Sequence, residues 1–340
     1  MNLARFAELT CRYPRLRIAI VGDFCLDRYF DIDPARQEIS IETGLPVHNI
    51  TRVRCQPGAA GTILNNLVAL GIGEIYPVGF CGEDGEGFEL RRSLKARTGV
   101  RLDYFVQTGE RRTFTYTKPL VCAPGKAPVE LSRLDIKNWT PTPAAVQDQI
   151  IGTLFELATK VDAMILMDQV DLPETGVVTA RLLETIREAV CVHPNLPIVA
   201  DSRRGLRGFP PVIFKMNGAE LAALTGTASD ADVETIMLTA RKLAAVQRRA
   251  VIVTLAERGI LGATPTGEVA HVPVLPIRGE IDIVGAGDSV TANLTAALAA
   301  GAKLLEAIEM ANAAASIVIH QLGTTGTASV DQIECLLRNS

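Results

Sequence analysis

The sequence has few of the residues that would point to several common functional classes. Its 340 residues include four His and one Trp, and its seven Cys are dispersed without a CxxC pair or a His at zinc-ligand spacing. The formal net charge of −4 gives no basic footprint for nucleic acid or an anionic membrane. These features disfavour a zinc protein and a nucleic-acid-binding protein, and they indicate the reduced thiols of a cytoplasmic protein.

Long apolar segments and several well-known motifs are also absent. No apolar run approaches the ~20 residues that a membrane span requires, and the charged, amphipathic first segment is not typical of a signal peptide. GxxxxGK[ST], a GxGxxG after the first strand, HExxH and GxSxG are all missing. P-loop NTPases, Rossmann dinucleotide-binding proteins, HExxH metalloproteases and α/β-hydrolases are therefore disfavoured.

The chain does contain a regular alternation of strand-like and helix-like segments. Residues 16–22 form a short apolar strand that ends in Gly22. Later strand-like segments lie at 161–167, 196–200, 212–216, 250–255, 260–264 and 268–272, and helix-like segments lie near 144–158, 174–190 and 230–247. This alternation predicts an α/β fold whose mostly parallel sheet has helices on both faces.

Two Thr-rich or proline-containing regions interrupt that alternation. Residues 29–56 and 107–135 contain period-2 segments separated by turn residues, with no room for crossover helices. We therefore expect a single α/β domain over 1–340, with 29–56 and 107–135 forming a small antiparallel β lid inserted in it. Because such a lid has exposed edges, we expect a homodimer through it.

The stretch DIVGAGDSVT, residues 282–291, has the composition of an anion site with a base. Gly285, Ala286 and Gly287 leave backbone N–H groups uncovered at the start of a predicted helix, where unpaired donors and the helix dipole favour an anion. Asp288 follows directly. Donors for developing charge beside one carboxylate are what phosphoryl transfer to a hydroxyl requires.

Together with other segments, this stretch resembles the ribokinase-like, or PfkB, carbohydrate kinases over nearly the whole chain. The matching segments are D-x-x-GAGD at 282–288, GDFCLDRY at 22–29, the NxxE motif at 217–220, VTLAERG at 253–259 and ANAAAS at 311–316. Within the family, PGAA at 57–60 and RLD at 133–135 are most similar to the heptose-phosphate kinase domain of ADP-heptose synthases.

The resemblance implies an ATP- and Mg²⁺-dependent kinase of a small sugar-like substrate and assigns roles to individual residues. Asp288 would be the base, with Gly285, Ala286 and Gly287 around the transferred phosphoryl group. The other implied contacts are Asp27, Gly58 and Asn66 for the acceptor, Asn217, Thr254, Gly259 and Asn312 for the nucleotide, and Glu220 with Asn217, through water, for the metal. Arg112, by its place in the predicted lid, is a candidate to bind a negatively charged substituent of the acceptor.

Simpler interpretations of these residues stay open. Asn217 and Glu220 have the spacing of a helix capping box, and Asn312 can be a tolerated polar residue on an Ala-rich helix. Asp288 alone can be a first-turn carboxylate that stabilises its helix by a few tenths of a kcal/mol.

The sequence also departs from the family pattern near the acceptor. Ala59 replaces the second Gly of a common Gly-Gly pair, and Thr62 replaces an Asn. Residues 168–173, DQVDLP, lack the Lys-Gly of heptose-phosphate kinases, and we expect no second domain for nucleotidyl transfer. Two alternative functions therefore stay open: a nucleotide- or sugar-binding protein without turnover, and a kinase of a nucleoside or other non-carbohydrate alcohol.

Overall fold

A computed structural model describes residues 1–323 and 325–338. The helices are α1 (Leu3–Thr10), α2 (Ala60–Ala69), α3 (Gly85–Lys95), α4 (Ala144–Lys160), α5 (Ala180–Val192), α6 (Gly218–Thr225), α7 (Val233–Gln247), α8 (Ala286–Ala299), α9 (Leu304–Val318) and α10 (Val330–Arg338). Among these residues, no helix is both long and apolar enough to cross a bilayer.

The strands form a large central sheet, a smaller second sheet and a short hairpin. They are β1 (Arg17–Gly22), β2 (Phe24–Ile32), β3 (Glu38–Ile39), β4 (Pro46–Val47), β5 (Ile50–Ala59), β6 (Glu74–Gly82), β7 (Phe105–Thr108), β8 (Thr115–Val121), β9 (Val129–Glu130), β10 (Leu134–Ile136), β11 (Ala163–Asp168), β12 (Ile198–Ser202), β13 (Ile213–Asn217), β14 (Val251–Thr254), β15 (Ile260–Ala263) and β16 (Val269–Val272).

The central sheet confirms the predicted α/β fold class. Its strand order is β16-β15-β14-β13-β12-β11-β1-β6-β7. The neighbours from β14 through to β7 pair in parallel, and β15 and β16 add an antiparallel hairpin at one edge, as the sequence predicts.

Helices cover both faces of the central sheet because its inner strands are apolar on both sides. Along β1, Ile18 and Ile20 pack into the core that contains α1, α2, α8 and α9. Ala19 and Val21 point to the opposite face, where they meet the core formed with α4, α5 and α7. This period-2 alternation divides the apolar side chains between two cores and fixes the strand register.

The second sheet joins β2, β5, β8, β9 and β10, which come from the two regions predicted to form the lid. Most of its pairs are antiparallel, whereas β2 and β8, which come from different regions of the chain, pair in parallel. The first lid strand begins at Phe24, so the lid starts earlier than the predicted residue 29. Asp27, expected at the end of the first central strand, consequently lies on a lid strand.

The helix predicted near 174–190 begins later, at Ala180, because the backbone before it is hydrogen-bonded to the buried side chain of Asp23. Asp23 Oδ1 accepts a hydrogen bond from Val177 N–H at 2.7 Å, and Oδ2 accepts one from Gln169 N–H at 2.9 Å and one from Val170 N–H at 3.3 Å. These bonds hold residues 169–178 as an ordered loop over the end of β1.

Candidate active site

The ends of several central strands bring polar side chains to one edge of the sheet. β11 ends at Asp168, β12 carries Asp201 next to its last residue, β13 ends at Asn217 and β14 ends at Thr254. Open α/β sheets bind ligands at the carboxyl ends of their strands. The site is therefore expected at this edge, where the start of α8 also lies close to Lys215.

The start of α8 has the backbone geometry of an anion cradle. Gly285 is the N-cap in the left-handed region, with φ of 84°, a conformation that glycine adopts without steric cost. Among the described residues, no acceptor is found for the amide N–H groups of Gly287 and Asp288. These donors and the positive end of the helix dipole are available to a negatively charged group.

A buried ion pair lies beneath this turn. Lys215 Nζ is 2.7 Å from Asp201 Oδ2, which also accepts a hydrogen bond from Thr291 Oγ1 at 2.9 Å. A Cβ on Gly287 would lie 3.2 Å from Lys215 Nζ, so the ammonium group faces the turn directly. The sequence analysis missed this network, although charged residues within or next to the apolar strands 196–200 and 212–216 were a signal for it.

The surroundings of Asp288 weaken its acidity. Its pKa is raised to about 7, first because burial disfavours the charged carboxylate and then because Asp201 adds a like charge, with Lys215 opposing the shift. A carboxylate with a pKa near neutrality can accept a proton at physiological pH and release it afterwards. Asp288 is therefore a carboxylate of weakened acidity in the first turn of α8.

Two residues predicted to bind the acceptor do lie together. A Cβ on Gly58 would be 2.4 Å from Asp27 Oδ2, so the carboxylate occupies the space that any larger residue at 58 would fill. Burial raises the pKa of Asp27, and the positive charges of Lys118 and Arg133 oppose the rise. Asp27 is half-buried and is therefore accessible to a ligand in the cleft beneath the lid.

The other two residues predicted to bind the acceptor, Asn66 and Arg112, make contacts with other parts of the chain. Asn66 is fully buried, and its amide donates to the carbonyls of Thr62 at 3.0 Å and Gly326 at 3.4 Å. The Arg112 side chain is 72% exposed and lies 4.0 Å from Asp84. In this conformation the Asn66 amide group donates to backbone carbonyls and its buried Oδ1 has no partner among the described residues, and Arg112 lies at the N-cap of α3.

Two lid cations that the sequence analysis did not assign lie on the same face of the lid as Asp27. Tyr29, two residues after Asp27, pairs with Lys118, whose Nζ is 5.4 Å from the Tyr29 ring centroid. The Arg133 guanidinium is 5.0 Å from the ring centroid of Tyr116, which pairs with Asp27. Arg133 also pairs with Asp135, whereas Lys118 has no anionic partner among the described residues.

Asn217 and Glu220 form the capping box that the sequence left as an alternative. Asn217 Oδ1 accepts from Glu220 N–H at 2.9 Å, and Glu220 Oε2 accepts from Asn217 N–H at 2.7 Å. The described residues contain no cluster of three or more His, Cys, Asp or Glu that could hold a metal. One carboxylate still fits Mg²⁺, which keeps several waters and takes its other ligands from substrate phosphates.

The remaining residues predicted to bind nucleotide have clear structural contacts. Thr254 stands directly opposite Asn217 in the β13–β14 register. Gly259 has φ of 90°, and a Cβ there would lie 2.0 Å from the Val272 carbonyl oxygen, so only glycine fits. Asn312 is buried and donates to the Pro273 carbonyl at 2.9 Å. Thr254 and Asn217 are therefore neighbours on adjacent strands, whereas the Asn312 side chain is hydrogen-bonded to the loop that contains Pro273.

A cavity of about 310 Å³ lies beside Asn217 and Glu220. Arg203, Arg204 and Arg207 also line this cavity. Arg204 donates to Asp168 at 2.9 Å, which fixes its position against the end of β11. This concentration of positive charge next to the capping box is suited to the phosphates of a nucleotide.

Comparison with known proteins places these features in one family. Residues 17–331 match the family model described as pfkB family carbohydrate kinase. The chain is 30% identical to a bifunctional protein HldE of Hyphomonas neptunium over 98% of its own length, and 31% identical to one of Rhodospirillum rubrum over 96%. It spans 66% and 63% of the lengths of these two relatives.

Solved structures show the same fold at lower sequence identity. An Arabidopsis thaliana ribokinase, in complex with ribose and ATP, superposes with a TM-score of 0.69 and 20% identity over 96% of this chain and 99% of its own. The phosphofructokinase-2 of Escherichia coli, in complex with substrates and products, gives a TM-score of 0.70 and 18% identity over 95% and 99%.

Proposed function

Since the chain belongs to the pfkB family of carbohydrate kinases, we propose that it transfers the γ-phosphoryl group of ATP to a hydroxyl of a sugar or sugar phosphate. We take 1–340 as one kinase domain whose lid closes over the acceptor. The observation that carries this proposal is the position of Asp288. Its pKa is raised to about 7, and it lies in the first turn of α8, where the N–H groups of Gly287 and Asp288 have no acceptor among the described residues. The proposed base and the N–H groups that would bind the anion thus lie in the same helical turn.

In this mechanism Asp288 accepts the proton of the attacking hydroxyl. The Ala286 N–H donates to the Ile283 carbonyl at 3.2 Å, so the N–H groups of Gly287 and Asp288, in the turn that begins at Gly285, are the ones available to the phosphoryl group. Together with the Lys215 ammonium they stabilise its charge during transfer. Asp27 hydrogen-bonds acceptor hydroxyls, and Gly58 lets the acceptor approach the backbone. Positioning and charge stabilisation supply most of the catalysis, because phosphoryl transfer needs little covalent chemistry from the protein.

The nucleotide would lie along the ends of β13 and β14. Asn217 and Thr254 would contact its phosphates, Gly259 would admit it beside the backbone, and Asn312 would border its base. Glu220, with Asn217 through water, would hold the Mg²⁺, which when bound neutralises the triphosphate.

The charges of the lid favour an acceptor that is itself anionic. Lys118 faces the cleft without an anionic partner, and Arg133 lies close enough to Asp27 to affect its pKa. A neutral sugar would leave the Lys118 charge uncompensated in a partly buried site, whereas a phosphate would accept charge-assisted hydrogen bonds from it. We therefore propose a sugar phosphate over a free sugar, with Lys118 in the role expected of Arg112.

A lid-mediated homodimer in the cytoplasm is also part of the proposal. Val53, Leu134 and Ile136 are exposed apolar residues on the lid face opposite to Asp27. Exposed apolar patches of this kind mark protein–protein contacts. Sedimentation analysis tests the assembly: a dimer that dissociates in Leu134→Glu supports it, and a wild-type monomer contradicts it.

The function is tested by ADP release from Mg-ATP with paired acceptors. The pairs are ribose and ribose 5-phosphate, glucose and glucose 6-phosphate, and fructose and fructose 6-phosphate. Acceptor-dependent ADP release, faster with the phosphorylated member, is expected. ATP binding without transfer to these acceptors, to nucleosides or to other alcohols would instead indicate a binding protein.

A lysine variant separates the acceptor proposal from the kinase proposal. Lys118→Met removes one charge-assisted hydrogen bond and should raise KM for the phosphorylated acceptor by about tenfold to a hundredfold. KM for ATP and for the neutral sugar should not change. Lys126→Met, in an exposed turn of the same lid, is the control. An equal effect on neutral and phosphorylated acceptors would contradict the role of Lys118.

A further inference from the structure

A single hydrogen bond joins the acceptor side of the lid to the turn that carries Asp288. Gln56 Nε2 on β5 donates to Thr325 Oγ1 over 2.9 Å, although the two residues are 269 positions apart in the chain. Thr325 in turn packs on Gly285, where a Cβ would lie 3.3 Å from the Thr325 Cβ. The lid strand and the N-cap of α8 are therefore connected through one intermediate residue.

Gln56 also stands beside the residue expected to hold the acceptor. It lies directly opposite Asp27 in the antiparallel β2–β5 pair, so both side chains point to the cleft face of the lid. Its Nε2 is additionally 3.5 Å from the Tyr29 hydroxyl. Its Oε1 has no partner among the described residues, and a half-buried amide oxygen of this kind is available to a hydroxyl donor.

The segment around Thr325 is fixed at further points. Asn66 donates to the Gly326 carbonyl at 3.4 Å. The Gln321 side chain donates to the Thr327 carbonyl at 2.7 Å and accepts from the Thr327 N–H at 3.1 Å. The two residues that follow Thr325 are thus each hydrogen-bonded to another segment of the chain.

We propose that Gln56 couples acceptor binding to the phosphoryl-transfer turn. Its Oε1 accepts a hydrogen bond from a hydroxyl of the acceptor held by Asp27, and its Nε2 holds Thr325 against Gly285. The bound acceptor fixes the Gln56 side chain, which orders the backbone that carries Asp288. This inference rests on the proposed kinase function and adds a reason why ATP is not consumed by water before the acceptor is bound.

Three variants separate this role from general packing. Gln56→Leu and Thr325→Val each remove the bridging bond with little change in side-chain volume. Asn49→Leu is the control, because Asn49 is a lid residue whose side chain donates to the Arg36 carbonyl at 2.9 Å, outside this connection.

Hydrogen exchange of the protein without ligands tests the bridge directly. Loss of one hydrogen bond is expected to speed exchange of the Ala286 and Ser289 amides, which donate to the Ile283 and Gly285 carbonyls, about fivefold in either variant. Because both variants break the same bond, the double variant should exchange no faster than either single one. Unchanged exchange in Gln56→Leu, or an equal effect of Asn49→Leu, would overturn the coupling.

Kinetics test the acceptor contact. With the most active acceptor of the panel, Gln56→Leu should raise acceptor KM and increase the ratio of ATP hydrolysis to transfer, whereas Asn49→Leu should leave both unchanged. An unchanged ratio would overturn the contact. If the wild type transfers to no acceptor, the proposed function fails, and the bridge is still judged by its exchange rates.

Discussion

The carboxylate of Asp27 occupies the space where a side chain at position 58 would begin. A Cβ on Gly58 would lie 2.4 Å from Asp27 Oδ2, well inside van der Waals contact. Gly58 on β5 thus allows Asp27 on β2 to turn into the cleft. In the proposed site this pair lies at the acceptor end, 230 residues before Asp288 in the chain.

Gly58→Ala is expected to impair acceptor binding specifically. The added methyl group displaces the Asp27 carboxylate, so acceptor KM should rise about tenfold or more while ATP affinity stays unchanged. Steady-state kinetics with each substrate varied in turn measure this. Gly152→Ala in α4 is the control, since nothing lies within 4 Å of its Cβ. It should leave kinetics unchanged and stabilise the fold by about 0.5–1 kcal/mol. Parallel losses of both affinities in Gly58→Ala would contradict the account.

Asp23 is expected to stabilise the fold more than an ordinary capping carboxylate. Asp23→Ala leaves three buried N–H groups of the 169–178 loop without their acceptor, and we expect a loss of at least about 3 kcal/mol in the free energy of unfolding. Asp23→Asn keeps one side-chain oxygen and should lose less. Urea unfolding measures both. Asp33→Ala, which removes an exposed capping bond to Ala35 N–H, should cost about 1 kcal/mol or less. Equal losses for Asp23→Ala and Asp33→Ala would contradict this role.

The activity is expected to depend on pH through Asp288. A base must be deprotonated to act, and the pKa of Asp288 is raised to about 7. The acceptor kcat/KM should therefore fall about tenfold per pH unit below pH 7 and level off above it. The same shift favours the folded protein while Asp288 is protonated, so this contribution to stability is present below its ordinary pKa and is lost as pH rises through about 7.

Asp201→Asn tests the cause of that pH dependence. It removes a like charge next to Asp288 and leaves Lys215 to pair with Asp288, so the acidic limb of the kcat/KM profile should move to lower pH. Thr291→Val removes one hydrogen bond to Asp201, and Thr295→Val removes a bond one helical turn away, to the Thr291 carbonyl. Of the two threonine variants, only Thr291→Val should shift the acidic limb of the kcat/KM profile. A profile that none of these changes moves would show that the limb belongs to another group.

The fold class could be predicted from the sequence because the spacing of apolar residues reflects which side chains are buried. The apolar strands and the hairpin at 260–272 appear close to their predicted positions, since their side chains pack against both cores. The start of α5 was misplaced for a different reason. It depends on Asp23, whose carboxylate binds backbone groups more than 140 residues away, and such contacts leave no local pattern.

The parts of the candidate site that could be predicted are those that a short, continuous sequence motif encodes. The turn at 285–288 and the capping box at 217–220 are local patterns, and both lie where the motifs placed them. The Lys215–Asp201 pair, Lys118 and the Gln56–Thr325 bond depend on the register between distant strands and loops. Arg112 was assigned by its place in the lid sequence, whereas strand pairing puts Lys118 opposite Tyr29, on the same face of the lid as Asp27.

Replacement of one carboxylate tests the central claim most directly. In Asp288→Asn the side chain keeps its shape but cannot accept a proton, so kcat for phosphate transfer should fall about 10²–10⁴-fold. KM for ATP should stay close to the wild-type value, and the melting temperature at pH 7 and above should not fall, because Asn carries no buried charge. Asp331→Asn, which also removes a first-turn carboxylate but from α10, should leave kcat unchanged. Wild-type kcat in Asp288→Asn would contradict the account.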